Sequence, residues 1–146
     1  MPAPTVIPLS WEERAATGFT HRFVIDYADF ASGWTSGAAY ALITLAAGQG
    51  VADAAFRLVT AFDGSGTDLA LTVGDGGDVD RFIVSKTVHN DGTAVTSWHE
   101  KATTLPHNYT SSDTVDVIFT STGGTLAALT TGEIHIFLKI VDLNKL

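Results

Sequence analysis

The chain reads as an all-β, single-domain antiparallel β-sandwich, jelly-roll-like, with an extended N-terminal arm. Three observations point there. Apolar and polar residues alternate in short runs, the period of a strand with one buried face. Between those runs Gly, Asp and Asn cluster at regular intervals, where small residues tolerate positive φ and Asp or Asn side chains bond their own backbone. Helical periodicity is nearly absent, which argues against alternating strands and helices and for two layers of strands. At 146 residues one domain buries about two thirds of its unfolded surface, enough for a core without staples. Residues 1–18 are expected to form the arm and residues 19–146 the sandwich.

Pro2, Pro4 and Pro8 hold the first residues in extended backbone, so Met1 to Leu9 is expected to lie outside the core and to reach a neighbour. Pro4, Val6, Ile7, Leu9 and Trp11 are its candidate contacts with a partner or a further subunit. Ser10-Trp11-Glu12-Glu13 matches a capping box, which predicts a short helix from Trp11 to Thr17 stopped at Gly18. Phe23, Ile25 and Tyr27 then alternate with Arg22 and Asp26 as a strand, broken at Asp29 to Gly33. Tyr40 to Ala46 is a short apolar run between glycines, expected as a strand buried on both faces or at an interface. From Val51 to Phe62 the alanines suit a helix and Phe56, Val59 and Thr60 suit a strand; strand is favoured from Ala55 onward.

The organising stretch is Thr60 to Phe82. Asp63-Gly64-Ser65-Gly66 predicts a hairpin, and Leu69, Leu71 and Val73 alternate as the next strand. Gly74-Asp75-Gly76-Gly77-Asp78 turns the chain again into a strand from Arg81 to Val88, closed by the His89 to Gly92 turn. Thr93 to Trp98 is a candidate short strand, and His99 to Ser112 carries no period and reads as a loop. Val115, Val117 and Phe119 mark a further strand, Gly123-Gly124 a turn, and Ala127 to Gly132 a loop. The strongest strand signal is Glu133 to Leu143, with Ile134, Ile136, Leu138 and Ile140 on one face. The tally is about seven to nine short strands.

Sixteen acidic against eight basic residues give a net charge of −8, and the few Lys and Arg are scattered, so a phosphate backbone would be repelled and no nucleic acid is expected as a partner. With no cysteine, disulfides, thiolate metal sites and cysteine nucleophiles drop out. The N-terminus lacks the basic and apolar regions of a secretory signal, and no apolar run is long enough to span a bilayer, so no membrane association is expected. Charged residues make up 16% of the chain and hydrophobic ones 45%, a thin polar cover that leaves apolar surface for a partner.

Chemistry-bearing patterns are weak. Asp75, Asp78 and Asp80 sit in a glycine-rich turn, but the EF-hand register fails at Gly77 and Val79, so a solvated structural turn is expected and no metal or other cofactor. His21, His89, His99, His107 and His135 show no ligand-pair spacing and are expected on the surface. No Gly-x-Ser-x-Gly elbow marks a nucleophile, and no spacing selects a carboxylate pair, so no catalytic residue can be named and no enzyme is expected. Trp34 and Trp98 stand in loop or edge contexts, where rings could stack on sugar. That keeps a carbohydrate-binding module of a tail or fibre as the alternative function.

One resemblance adds to this. The order Ala61-Phe62-Asp63-Gly64, an alternating strand, Val73-Gly74-Asp75-Gly76-Gly77-Asp78-Val79-Asp80-Arg81-Phe82, then Gly132-Glu133 and a strand ending Val141-Asp142-Leu143, resembles small phage virion proteins encoded among head genes. Several of these are β-sandwich capsid decoration (cement) proteins. The likeness covers Leu42 to Leu143. It implies a structural protein that binds the outer capsid surface and stabilises the head. Its partners would be the major capsid protein and further copies of itself in a homotrimer, and it would be assembled into the virion in the host cytoplasm.

Overall fold

The computed structural model describes residues 4–100 and 105–146; residues 1–3 of the expected arm and 101–104 of the expected loop lie outside the described residues. Two antiparallel sheets pack face to face. The first runs in the order β1 (Thr5–Val6), β2 (His21–Asp26), β10 (Thr131–Asp142), β4 (Gln49–Asp63) and β7 (Ser97–Glu100), and β8 (His107–Asn108) lies beside the other end of β4. The second runs β3 (Ala39–Leu45), β9 (Asp113–Thr122), β5 (Asp68–Gly74) and β6 (Ile83–Thr87). Successive strands from β2 to β5 alternate between the sheets, and β10 returns between β2 and β4. Such crossing makes most pairings long-range, so each sheet is closed by strands far apart in sequence.

Alternation decides which side chains meet. Phe23 and Ile25 of β2, Ile134, Ile136 and Leu138 of β10 and Phe56 of β4 point inward against Leu71 and Val73 of β5 and Val117 and Phe119 of β9, and all are buried. Each such side chain contributes roughly 1.5–3 kcal/mol when fully removed from water. One end of the core is aromatic: Phe30, in the 3₁₀ turn Tyr27–Ser32 after β2, stands edge-on to Trp34 at 5.3 Å and to Phe119 at 5.0 Å between ring centres.

Four expectations need correction. The Asp63 to Gly66 turn has the predicted local chemistry, Asp63 Oδ1 accepting the Gly64 amide at 2.7 Å, but it is no hairpin. It carries the chain from β4 in one sheet to β5 in the other, because β4 pairs with β10 and β5 with β9. The segment that read as ambiguous, with strand favoured only from Ala55 onward, is one 15-residue strand, β4, from Gln49 to Asp63; a long partner, β10, overrides the helical preference of its alanines. Of the two settings expected for β3, burial on both faces is not found. β3 is an edge strand with Ala39, Ala41 and Thr44 exposed, and it bulges at Leu42. Finally, the expected loop at Ala127 to Gly132 is a short 3₁₀ turn, Leu126–Ala128, followed by the start of β10.

Candidate contact surface

The N-terminal segment is tied to the sandwich at defined points. Thr5 and Val6 pair with Val24 and Phe23 at the edge of the first sheet, and the Ile7 amide donates to the Arg22 carbonyl at 3.0 Å. Helix α1 (Trp11–Thr17) follows as predicted: Ser10 Oγ accepts the Glu13 amide at 3.1 Å, Glu13 Oε2 accepts the Ser10 amide at 2.7 Å, and Gly18 ends the helix in the left-handed region. Arg22 on β2 reaches Glu13 at 3.1 Å and fastens the helix to the sheet. The bond from the Ser10 amide, and then the charge of Arg22, hold the Glu13 carboxyl below its ordinary range.

This splits the five predicted contact residues in two. Pro4 and Leu9 are buried against the fold. Val6 at 53%, Ile7 at 36% and Trp11 at 80% remain exposed, an apolar trio at one edge of the molecule. An indole with four fifths of its surface in water contributes little to the core.

A second apolar feature lies on the outer face of the first sheet. Between the end of α1 and β7 is a groove of about 240 Å³, lined among others by Thr17, Phe19, Ala55, Trp98, His99 and Phe137. Phe137 and Ala55 are paired across β10 and β4, and Ala55 with His99 across β4 and β7, so three strands form the floor. Phe19 forms one wall, 5.8 Å from the Phe137 ring and 5.9 Å from that of His99. His99 Nε2 meets Asp53 Oδ1 at 2.7 Å at the rim. Sequence reasoning missed this groove, because its residues come from four separate segments.

The acidic turn between β5 and β6 departs from the expected solvated loop in one respect. Asp78 and Asp80 are exposed, whereas Asp75 is buried. Asp75 Oδ1 accepts the amides of Gly77 and Asp78, each at 3.0 Å, and Oδ2 accepts from Arg81 Nε at 2.7 Å and from the Tyr109 hydroxyl at 3.0 Å. Burial alone would raise the pKa of this carboxyl, but the Arg81, Tyr109 and amide donors outweigh it and hold it below the ordinary carboxylate range. Tyr109, buried beside that carboxylate, is pushed upward. Among the described residues no three His, Asp or Glu side chains are placed to share a metal ion.

The histidines stay dispersed. His99 and His135 pair with Asp53 and Glu133, His107 lies 3.7 Å from Asp75 Oδ2, and His21 bonds Thr20 Oγ1. His89 corrects the surface expectation: it is buried, and neither ring nitrogen has a hydrogen-bond partner. The tryptophan platform does not form either. Trp34 is in the core, 4.1 Å from the Tyr40 ring centre, while Trp98 is partly exposed with Lys86 Nζ 3.6 Å over its ring.

No protein-family model matches the chain, and no curated protein matches it. Among solved structures, the acidic stable capsid structure of Helicobacter pylori bacteriophage KHP30 is similar over 83% of this chain and 91% of that one, at 14% identity and a TM-score of 0.49.

Proposed function

We propose that the protein is a phage structural protein of the capsid decoration type, which binds the outer surface of the head and adds interface that must be broken before the shell can open. The observation that carries the reading is the exposed apolar edge of Val6, Ile7 and Trp11 on a sandwich whose own core is complete without them. Its support in sequence is the run from Ala61 to Phe82 and its resemblance to phage head proteins. The partner is the major capsid protein, the working unit a homotrimer, and the site of action the virion, assembled in the host cytoplasm. A threefold unit suits the local threefold positions of an icosahedral shell.

Deleting the whole arm would be a poor test, because it would bare the edge of β2 and remove buried Leu9. A double variant, Val6→Asp with Ile7→Asp, keeps the backbone pairing and changes only exposed side chains. Mixed with undecorated capsids, the unaltered protein is expected to reach saturating occupancy, and the double variant to bind at least about tenfold more weakly, with unchanged melting temperature, since two apolar anchors become charges at the interface centre. Equal occupancy would remove this edge from the contact. Failure of the unaltered protein to bind shells would overturn the function.

A further inference from the structure

We propose that Trp11 of one copy occupies the aromatic groove of a second copy. The inference rests on the oligomer proposed above and names its contact, leaving Val6 and Ile7 for the shell. The chain carries both halves of a joint: a rigid apolar knob, Trp11, at 80% exposure on a capped helix, and a groove of about 240 Å³ walled by Phe19, Phe137 and His99, a hole on the scale of one indole. The knob opens a capped helix and the floor of the groove is three paired strands, so little freedom is lost when they meet. Within one molecule Trp11 and the groove cannot meet, because Trp11 opens α1 and Thr17, at the groove, ends it.

Charge supports the same occupant. Glu12, next to Trp11, is exposed. Arg57 and Lys139 are exposed, two positions from Ala55 and Phe137 on the same strands, and so on the same outer face as the groove. Asp53, on that rim as well, is held by His99. Among the described residues neither Glu12, Arg57 nor Lys139 has an ion-pair partner. Docking Trp11 brings the acid to the two cations, a pairing that a molecule of charge −8 offers at few other places. Knob and hole are different surfaces, so the contact is heterologous and closes into a ring when the rotation between copies divides a full turn. The buried aromatic is its anchor, and the small area makes it weak in solution and effective where copies are crowded.

Sedimentation velocity from about 1 to 100 µM, the range where a small interface is half-formed, tests this with variants that remove one half each. Trp11→Ala deletes the knob, and Ser97→Trp, at an exposed rim position, fills the hole; Ala55→Leu on the floor is a second filler should the first perturb the strand. The unaltered protein is expected to assemble with rising concentration, and each variant alone to remain monomeric. Mixed one to one, Trp11→Ala and Ser97→Trp should form a dimer and nothing larger, since together they supply one knob and one hole. An unaltered protein that stays monomeric throughout, a Trp11→Ala protein that assembles normally, or a mixture that stays monomeric would overturn the inference. Capsids decorated by a strictly monomeric protein would sink this contact and leave the proposed function standing; a knob-dependent ring that ignores capsids would do the reverse.

Discussion

The Tyr109 hydroxyl donates to the buried carboxylate of Asp75 at 3.0 Å, across 34 positions of sequence. Asp75 belongs to the β5–β6 turn of one sheet, and Tyr109 follows β8 of the other, so the bond fastens the two layers at one end of the sandwich. Arg81 and two turn amides complete the ring of donors.

Replacing this acceptor should therefore cost more than a surface aspartate would. Asp75→Asn is expected to lower unfolding free energy by about 2–3 kcal/mol, the low end for a buried pair because Arg81 can turn toward water, and Tyr109→Phe by about 1 kcal/mol. The pH dependence follows from the depressed pKa of Asp75. A carboxyl depressed on folding adds stability above its unfolded value, near 4, and loses it as pH falls through the folded value. Urea melts from pH 7 to pH 2 should show a shallower acid-side decline for Asp75→Asn than for the unaltered protein; parallel curves would contradict this account.

The same ring of donors predicts indifference to divalent cations. Each oxygen of Asp75 already accepts two hydrogen bonds, leaving no good position for a hard cation that needs several oxygen ligands. Melting temperatures with excess chelator and with millimolar calcium are expected to agree. A chelator-dependent drop that vanishes when Asp75, Asp78 and Asp80 all become Asn would refute the structural reading of the turn.

What was legible in sequence was local. Ser10, Glu13 and Gly18 define α1 through bonds no more than four residues long, and the alternation of Ile134, Ile136 and Leu138 marks the buried face of β10. What stayed hidden depended on partners far away. The Asp63 turn announces a change of direction, but whether β4 and β5 share a sheet is decided by β10 and β9, about 60 residues downstream. Trp34 looks like a loop residue, and only the assembled core shows the rings of Phe30, Tyr40 and Phe119 around it. Of the contact residues, composition could mark Leu9 and Trp11 as apolar; only the fold says that one faces in and the other out.

Gly132 is a position where backbone and packing both demand glycine. Its φ is 135°, and a Cβ there would overlap the buried ring of Phe62. Gly132→Ala should cost roughly 2–4 kcal/mol, combining backbone strain with overpacking. Chemical denaturation measures it, and a loss below about 1 kcal/mol, the scale of backbone entropy alone, would mean that the β10 bulge can shift to make room.

For the carbohydrate alternative, burial of Trp34 changes what a test can show. Trp34→Ala opens a core cavity costing about 3–5 kcal/mol, so lost binding in that variant would report unfolding. Trp98→Ala is the informative change. A glycan array is expected to show no binding above background with the unaltered protein, and a competable signal that Trp98→Ala abolishes would move the assignment to a sugar-binding module.

The N-terminal residues should separate into anchors and contacts when stability and assembly are measured on the same variants. Leu9 is 7% exposed and sits where the chain enters α1, so Leu9→Ala removes a buried side chain and is expected to cost about 2–3 kcal/mol. Trp11, two positions on, touches mostly water, and Trp11→Ala should leave unfolding free energy within about 0.5 kcal/mol. Assembly should respond in the opposite order: abolished by Trp11→Ala at every concentration, and preserved in Leu9→Ala wherever the protein is folded, because α1 is still held by the Glu13 to Arg22 pair at 3.1 Å. Denaturation melts and sedimentation on both variants decide it. If Trp11→Ala destabilised the fold by more than 1.5 kcal/mol, three times that surface scale, its indole would be packing against its own chain, and neither the exposed edge nor the knob would stand.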